Sequence, residues 1–400
     1  MYNIRDLAIH QNRIWCATNG GIFKYNTNDS TFELFTNIEG LSELDVRSLE
    51  VDSDGDIWIG TYGGLINLLH PDTRKIELID DYRRHVIYDI KMLNADSLLI
   101  AFDNGIGLYV KDAREVRENY YKLGENSSFE AKIHVNRLYV NQDTIWAATD
   151  VGIAMTSLDK LNLNDPASWT NFTMQHGLPG ALIKDIIVSQ GVTYAITDQG
   201  VAKRTNTAWV SINNGIPANI LSEVNSFYEK ADTLFIAALY GLYRYDPIRN
   251  WWYHPYPDLG SANVLASDAA GIWVGRLAKD NKDNIGGIAY IPFTGTEWKE
   301  IYPPGPASNR INDVAVDQQG RWWCATTDAG LVRYDGETWQ NYDLKKGFPS
   351  NWYNTVVVDY SNQVWAGSAG GGLTLIDAQG NAHFYQSEYL SGSSSSAYII

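Results

Sequence analysis

An all-β fold built from repeated four-stranded units is what this sequence predicts, and three observations predict it. A tryptophan-centred motif recurs nine times along the 400 residues. Short apolar and aromatic runs, bounded by Gly, Asp and Asn, alternate with tight turns throughout. No stretch has the length and period of an amphipathic helix. The 34 glycines, 25 tyrosines and 14 tryptophans suit strands and turns better than helices.

The motif aligns on the Trp of IWIG. It reads RIWCATNGGIFKY around Trp15, DIWIGTYGGLINL around Trp58 and SLLIAFDNGIGLY around Leu99. It continues at Trp146, Tyr194, Phe235, Trp273, Trp323 and Trp365, with anchors 38 to 50 residues apart. A glycine follows six residues after the anchor at Gly21, Gly64, Gly105, Gly152, Gly200 and Gly241. It follows seven after at Gly330 and Gly372, and a longer loop delays it to Gly287 in the seventh unit.

Each unit reads as four strands. An alternating segment such as VRSLEV comes first, then a turn such as DSDGD, then the Trp strand. A glycine turn leads to a third strand, and a fourth carries an aromatic, as in TWQNY over 338–342. A period of this length with four strands is a blade of a β-propeller, so nine blade repeats are recognised. One blade cannot bury both of its faces, so neighbours stack. The anchor Trp supplies an apolar plate between blades. The small residue two positions on, such as Ala17, Gly60 or Gly275, lets the next blade approach. Cys16 and Cys324 share one repeat position and read as small buried hydrophobes, not a disulfide or a nucleophile. The aspartates of DSDGD, Asp52, Asp54 and Asp56, read as hairpin-shaping residues rather than a cation loop.

Nine blades exceed the usual ring. The Pro-rich EIYPPGPASNR at 300–310 reads as a linker. The expected organisation is therefore a seven-bladed propeller over 1–303 and the first blades of a second, truncated propeller over 304–400. One nine-bladed ring over 1–400 is the alternative. The final SGSSSSAYII reads as a blade link and the opening strand of a tenth unit.

Charge and motif content bound the function. A net charge of −16 without any basic run argues against nucleic-acid binding. No apolar run could span a bilayer, and MYNIRDLAIH reads as neither a signal nor a transit peptide. The seven histidines have no metal-ligand spacing, and neither a G-x-S-x-G elbow nor a phosphate loop is present. Carboxylates fall mostly in turns, although a catalytic pair converging from distant blades stays open. The expectation is a protein that is not an enzyme and takes no cofactor or metal.

Residues 46–65, 311–334 and 354–376 carry V-x-x-L-x-x-D-x-D-G-x-I-W-I-G-T-x-x-G-L, in full or in part. This pattern resembles the two-component regulator propeller repeat. GLSELDV at 40–46 and GFPSNWYNTV at 347–356 are similar to that family's link between blades. The resemblance implies the periplasmic sensor part of a hybrid histidine kinase, which senses oligosaccharide. Similar propellers are secreted or serve the type IX secretion system, which implies a protein-binding scaffold as the alternative. Either way it implies an extracytoplasmic chain that binds an extracellular ligand or a protein partner. No kinase, receiver or DNA-binding segment accompanies the repeats.

Function is expected on the loops of the face that carries the glycine turns and blade links. The candidates there are of three kinds. Lys279 stands in the insertion LAKDNKDNI, which breaks the glycine register in the seventh unit. Tyr62, Phe102, Tyr240, Trp352 and Tyr353 are aromatic rings at expected loop tips, suited to stacking on sugars or gripping a peptide, or to packing across blades. Arg5, Arg47, Asn136, Lys184, Asn225, Asn263, Asn312 and Asn354 recur at the start of each innermost strand. They either line the channel for a ligand or hydrogen-bond the backbone of the neighbouring blade, the commoner use of such groups. Arg47 and Lys184 are the expected anchors for an acidic ligand, and Arg276 falls where most units have Thr or Ser. The cluster at 250–260, with Tyr253, His254 and Tyr256, occupies a repeated fourth-strand position and reads as structural first.

Overall fold

The computed structural model describes residues 3–385, apart from 131, 161, 231, 257–258, 279–284, 295–296, 304, 306–307 and 309. Among them lie nine four-stranded antiparallel sheets, each built from four consecutive strands in simple meander order. These are blades 1 to 9, spanning 6–35, 46–79, 87–120, 135–172, 183–211, 224–256, 262–301, 311–342 and 353–385. The fold is thus an all-β propeller architecture, and the only helices described are short 3-10 turns.

The chain divides into two compact units, one holding blades 1 to 7 and one holding blades 8 and 9. In the larger, each innermost strand lies against the next, and that of blade 7, Ala262–Ser267, lies against that of blade 1, Asp6–His10. The Ile4 N–H donates to the Arg276 carbonyl across that contact, at 3.0 Å. A core cluster joins the two blades through Leu7, Phe23, Tyr25, Val264 and Trp273. Comparable clusters fill the other blade-to-blade gaps of this unit, and one more joins blades 8 and 9. The core therefore lies between sheets, where the repeat places its large rings.

Those rings are the anchors. Trp15, Trp58, Trp273 and Trp323 are almost wholly enclosed, and burying such a ring stabilises by about 2–3 kcal/mol. The turn aspartate holds the indole. Asp52 accepts from the Asp54 and Asp56 N–H groups and from Trp58 Nε1, all at 3.0 Å. Asp268, Asp317 and Asp359 hold Trp273, Trp323 and Trp365 in the same way. Burial acts to raise the Asp52 carboxyl, but Lys111, the indole N–H and the turn amides outweigh it and keep the group below the usual range.

The small residue after the anchor has the expected steric role. A Cβ on Gly60 would lie 2.5 Å from Ile87 Cγ2 of blade 3 and 2.5 Å from Ser48 Oγ. One on Gly275 would lie 2.6 Å from Ile4 Cγ2, at the contact with blade 1. The glycine that ends each turn has a backbone reason instead: Gly64 has φ +81°, and a Cβ there would lie 1.8 Å from the Tyr82 carbonyl oxygen. Cys16 and Cys324 are buried free thiols.

Candidate binding face at the channel mouth

The innermost strands bring their first polar residues together at the end of the ring that carries glycine turns and blade links. Most of these side chains are used by the backbone. Asn136 Nδ2 donates to the Ile183 carbonyl at 2.9 Å, Asn225 Nδ2 to Ala262 at 3.0 Å and Asn263 Nδ2 to Ile4 at 2.9 Å. The Lys184 ammonium donates to the carbonyls of Ser222 and Val224. Asn312 repeats the bond to the Tyr353 carbonyl in the smaller unit. Each bond crosses to the next blade, so blades 4 to 7 are tied by a polar belt. The backbone role open to these residues is thus filled.

The belt is interrupted at blades 1 to 3, where Arg5, Arg47 and Tyr88 hold its positions. Arg5 pairs with the Asp45 carboxylate. Arg47 Nε lies 3.2 Å from the same carboxylate, and the guanidinium sits 4.8 Å from the centre of the Tyr62 ring. Tyr62 is 51% exposed. Tyr88 stacks on His134 with centroids 6.2 Å apart, and it lies within electrostatic reach of Asp103, Arg47 and Tyr62. His85 Nδ1 is 2.6 Å from Asp103 Oδ1. Burial and the neighbouring Arg47 lower the Arg5 guanidinium to about 10, so it stays a cation at neutral pH. This sector offers two guanidinium cations, two aromatic faces and carboxylates that make no belt bond.

The other expected site residues fall elsewhere. Tyr240 is 41% exposed, and its carbonyl accepts from His254 Nε2. Trp352, 50% exposed, belongs to the smaller unit. Tyr353 is not at a loop tip: its ring is wholly buried and its hydroxyl meets Thr374 Oγ1 at 2.8 Å. Phe102 is likewise enclosed, against Tyr82. Arg276 is not a surface cation either, being 2% exposed and paired with Glu300 at 2.7 Å. Lys279 and most of its insertion lie outside the described residues.

Deeper in the channel is a set of charges that sequence reasoning missed. Asp6, Asp89 and Asp185 each accept an N–H from the next blade's innermost strand, from Leu49 at 2.9 Å, Leu138 at 2.8 Å and Phe227 at 2.6 Å. Arg137 takes the equivalent position in blade 4, with Nη1 3.5 Å from Asp89 and 3.7 Å from Asp6. Asp6, Arg137 and Asp185 border a cavity of about 190 Å³ with Lys91 and Ser226. Burial pushes the Asp185 carboxyl up to about 6 against the pull of Arg137. The signal was available: DLAIH, DIKML, DIIVS and DVAVD place an Asp at one repeat position in four blades. These carboxylates are engaged by backbone amides, and no group of three or more metal-binding side chains occurs among the described residues.

Residues 14–170 match the family model described as the TSS9, PorZ, N-terminal β-propeller domain. PorZ of Porphyromonas gingivalis, a bacterial surface component of the type-IX secretion system, has a similar structure, with TM-score 0.69 and 16% identity. That match covers 98% of this chain and 53% of the PorZ chain, so this chain spans about half of PorZ's length. The extracellular domain of a putative hybrid two-component system from B. thetaiotaomicron matches at TM-score 0.49 and 18% identity, over 94% of this chain and 52% of that one. A virginiamycin B lyase from Staphylococcus aureus matches at TM-score 0.55 and 14% identity, over 69% of this chain and 92% of the lyase. No curated protein matches the sequence. At these identities the solved structures speak for the fold alone.

Proposed function

We propose that this chain is an extracytoplasmic, non-catalytic propeller that binds a protein partner at the cell envelope, in the manner of a type IX secretion component. Residues 1–303 act as a closed seven-bladed ring, and 304–400 open a second propeller. The partner binds at the channel mouth over blades 1 to 3. The observation that carries this reading is the interrupted belt, where Arg47, Tyr62 and Tyr88 are not used to join blades by backbone bonds. The family match favours the secretion reading over a sensor, because the model that residues 14–170 match describes a secretion-system propeller. Exposed Tyr62 and Tyr240 support oligosaccharide binding as the second reading, since flat rings beside a polar mouth also stack on sugars.

The test is a photo-crosslinking residue in place of Tyr62, read in the envelope of the native host. One discrete envelope-protein adduct is expected, lost in Arg47→Ala and absent when the crosslinker replaces Tyr360, which is fully exposed in the smaller unit. An adduct pattern unaffected by Arg47→Ala overturns the site. Binding on an oligosaccharide array that Arg47→Ala and Tyr62→Ala abolish would instead establish the second reading.

A further inference from the structure

On the flank of the ring, between blades 2 and 3, lies a groove of about 420 Å³. Its floor is apolar, made by Leu68 and by Trp58 and Tyr109, which meet edge to face at 5.5 Å. One wall is the outermost strand of blade 2, Lys75–Ile79. That strand ends its sheet, so one side of its backbone has no ladder partner among the described residues. Leu78 on it is 53% exposed. The rim is acidic. Asp80 and Glu77 have their own partners in Arg83 and Arg114, and Asp52 has Lys111. Asp81 and Asp112 also line the groove, and neither has an ion pair among the described residues.

We propose that this groove docks a basic, extended segment of a partner protein, laid along the free edge of blade 2. An extended segment can satisfy the unpaired amides and carbonyls of an edge strand, and its side chains then point alternately into and out of the groove. Side chains on the groove face reach Leu68, Asp81 and Asp112, while those on the other face pass over Leu78, which the register sets beside Asn67 rather than Leu68. The charge complementarity selects the occupant. A net charge of −16 steers cations toward the chain and repels acidic segments. The inference does not rest on the channel mouth, which lies on other residues, so either can fail alone.

The probe is a short fluorescent peptide alternating Lys with Val, read by anisotropy on the full chain, with a Glu/Val peptide as control. The Lys/Val peptide is expected to bind and the Glu/Val peptide not to. Combining Asp81→Asn with Asp112→Asn should weaken binding about fivefold or more, and Leu78→Arg should weaken it similarly by placing a cation on the edge that the basic segment follows. Glu125→Gln with Glu130→Gln removes the same charge from an exposed link elsewhere and should leave binding unchanged. All variants change exposed side chains, and unaltered melting temperatures verify their fold. Equal weakening by the two double variants would reveal only diffuse attraction to an acidic chain and overturn the proposal. So would an absence of Lys/Val binding, or insensitivity to Leu78→Arg.

Discussion

Gly60 makes its contribution by having no side chain. Its approach to Ile87 leaves no room for a methyl group unless blade 3 shifts. Gly60→Ala is expected to cost about 1–3 kcal/mol, measured by urea denaturation. The same substitution should cost less in an Ile87→Ala background, because alanine lacks the Cγ2 that the added methyl group meets. An equal cost in both backgrounds would place the strain elsewhere. Asp185 gives a second test at this scale. Its folded-state carboxyl sits near 6, above the usual unfolded value, so the native state takes up a proton more readily. Stability from this group therefore grows as pH falls from neutral through about 6 and toward 4. Asp185→Asn keeps an acceptor for Phe227 N–H without the buried charge. It should gain at most about 3 kcal/mol at pH 7, with the advantage shrinking by pH 5. Loss of wild-type stability relative to Asp185→Asn on that acidification would contradict the assignment.

At the scale of the blade, most of what repeats was legible. The Trp anchors, the small residues beside them and the turn aspartates all follow from one alignment, because each serves a contact made in nearly every blade. The belt was legible for the same reason: Asn136, Asn225, Asn263 and Asn312 share a position and a bond. The Asp6, Asp89 and Asp185 bonds were equally repetitive and went unread, since a carboxylate at a strand start looks like a turn residue. What failed was the direction of single side chains. Tyr353 and Arg276 occupy positions that a register places near loops, yet their rings and charges turn inward to Thr374 and Glu300. Repeat position fixes where a Cα lies, whereas neighbours outside the repeat decide the rotamer. Tyr88 was missed for a related reason, because an aromatic at a belt position breaks the pattern used to find the belt.

For the whole molecule, the proposed division makes a direct prediction. A chain ending at residue 303 holds all seven blades of the larger unit, including the contact of Asn263 and Trp273 with blade 1. It should unfold in one cooperative transition and retain far-UV strand signal. A chain ending at residue 260 lacks blade 7, which would expose the apolar faces of blades 1 and 6, and it should aggregate or melt without cooperativity. If the two behave alike, the larger unit is not an independent ring. The number of blades was readable from sequence by counting anchors. Their grouping kept two readings, because a proline-rich link reads the same within a ring and between two.

One feature of the sheets bears on how such a molecule can change. Among the described residues every blade is made from four consecutive strands, and none borrows a strand from the far end of the chain. The contact between blades 7 and 1 is made of the same apolar plates and amide-to-carbonyl bonds as its neighbours, without a shared ladder acting as a clasp. A gene segment running from one link to the next therefore encodes a complete module. Duplicating or deleting such a segment leaves no half-made sheet behind, so ring size and ring number can drift while every interface remains of one kind.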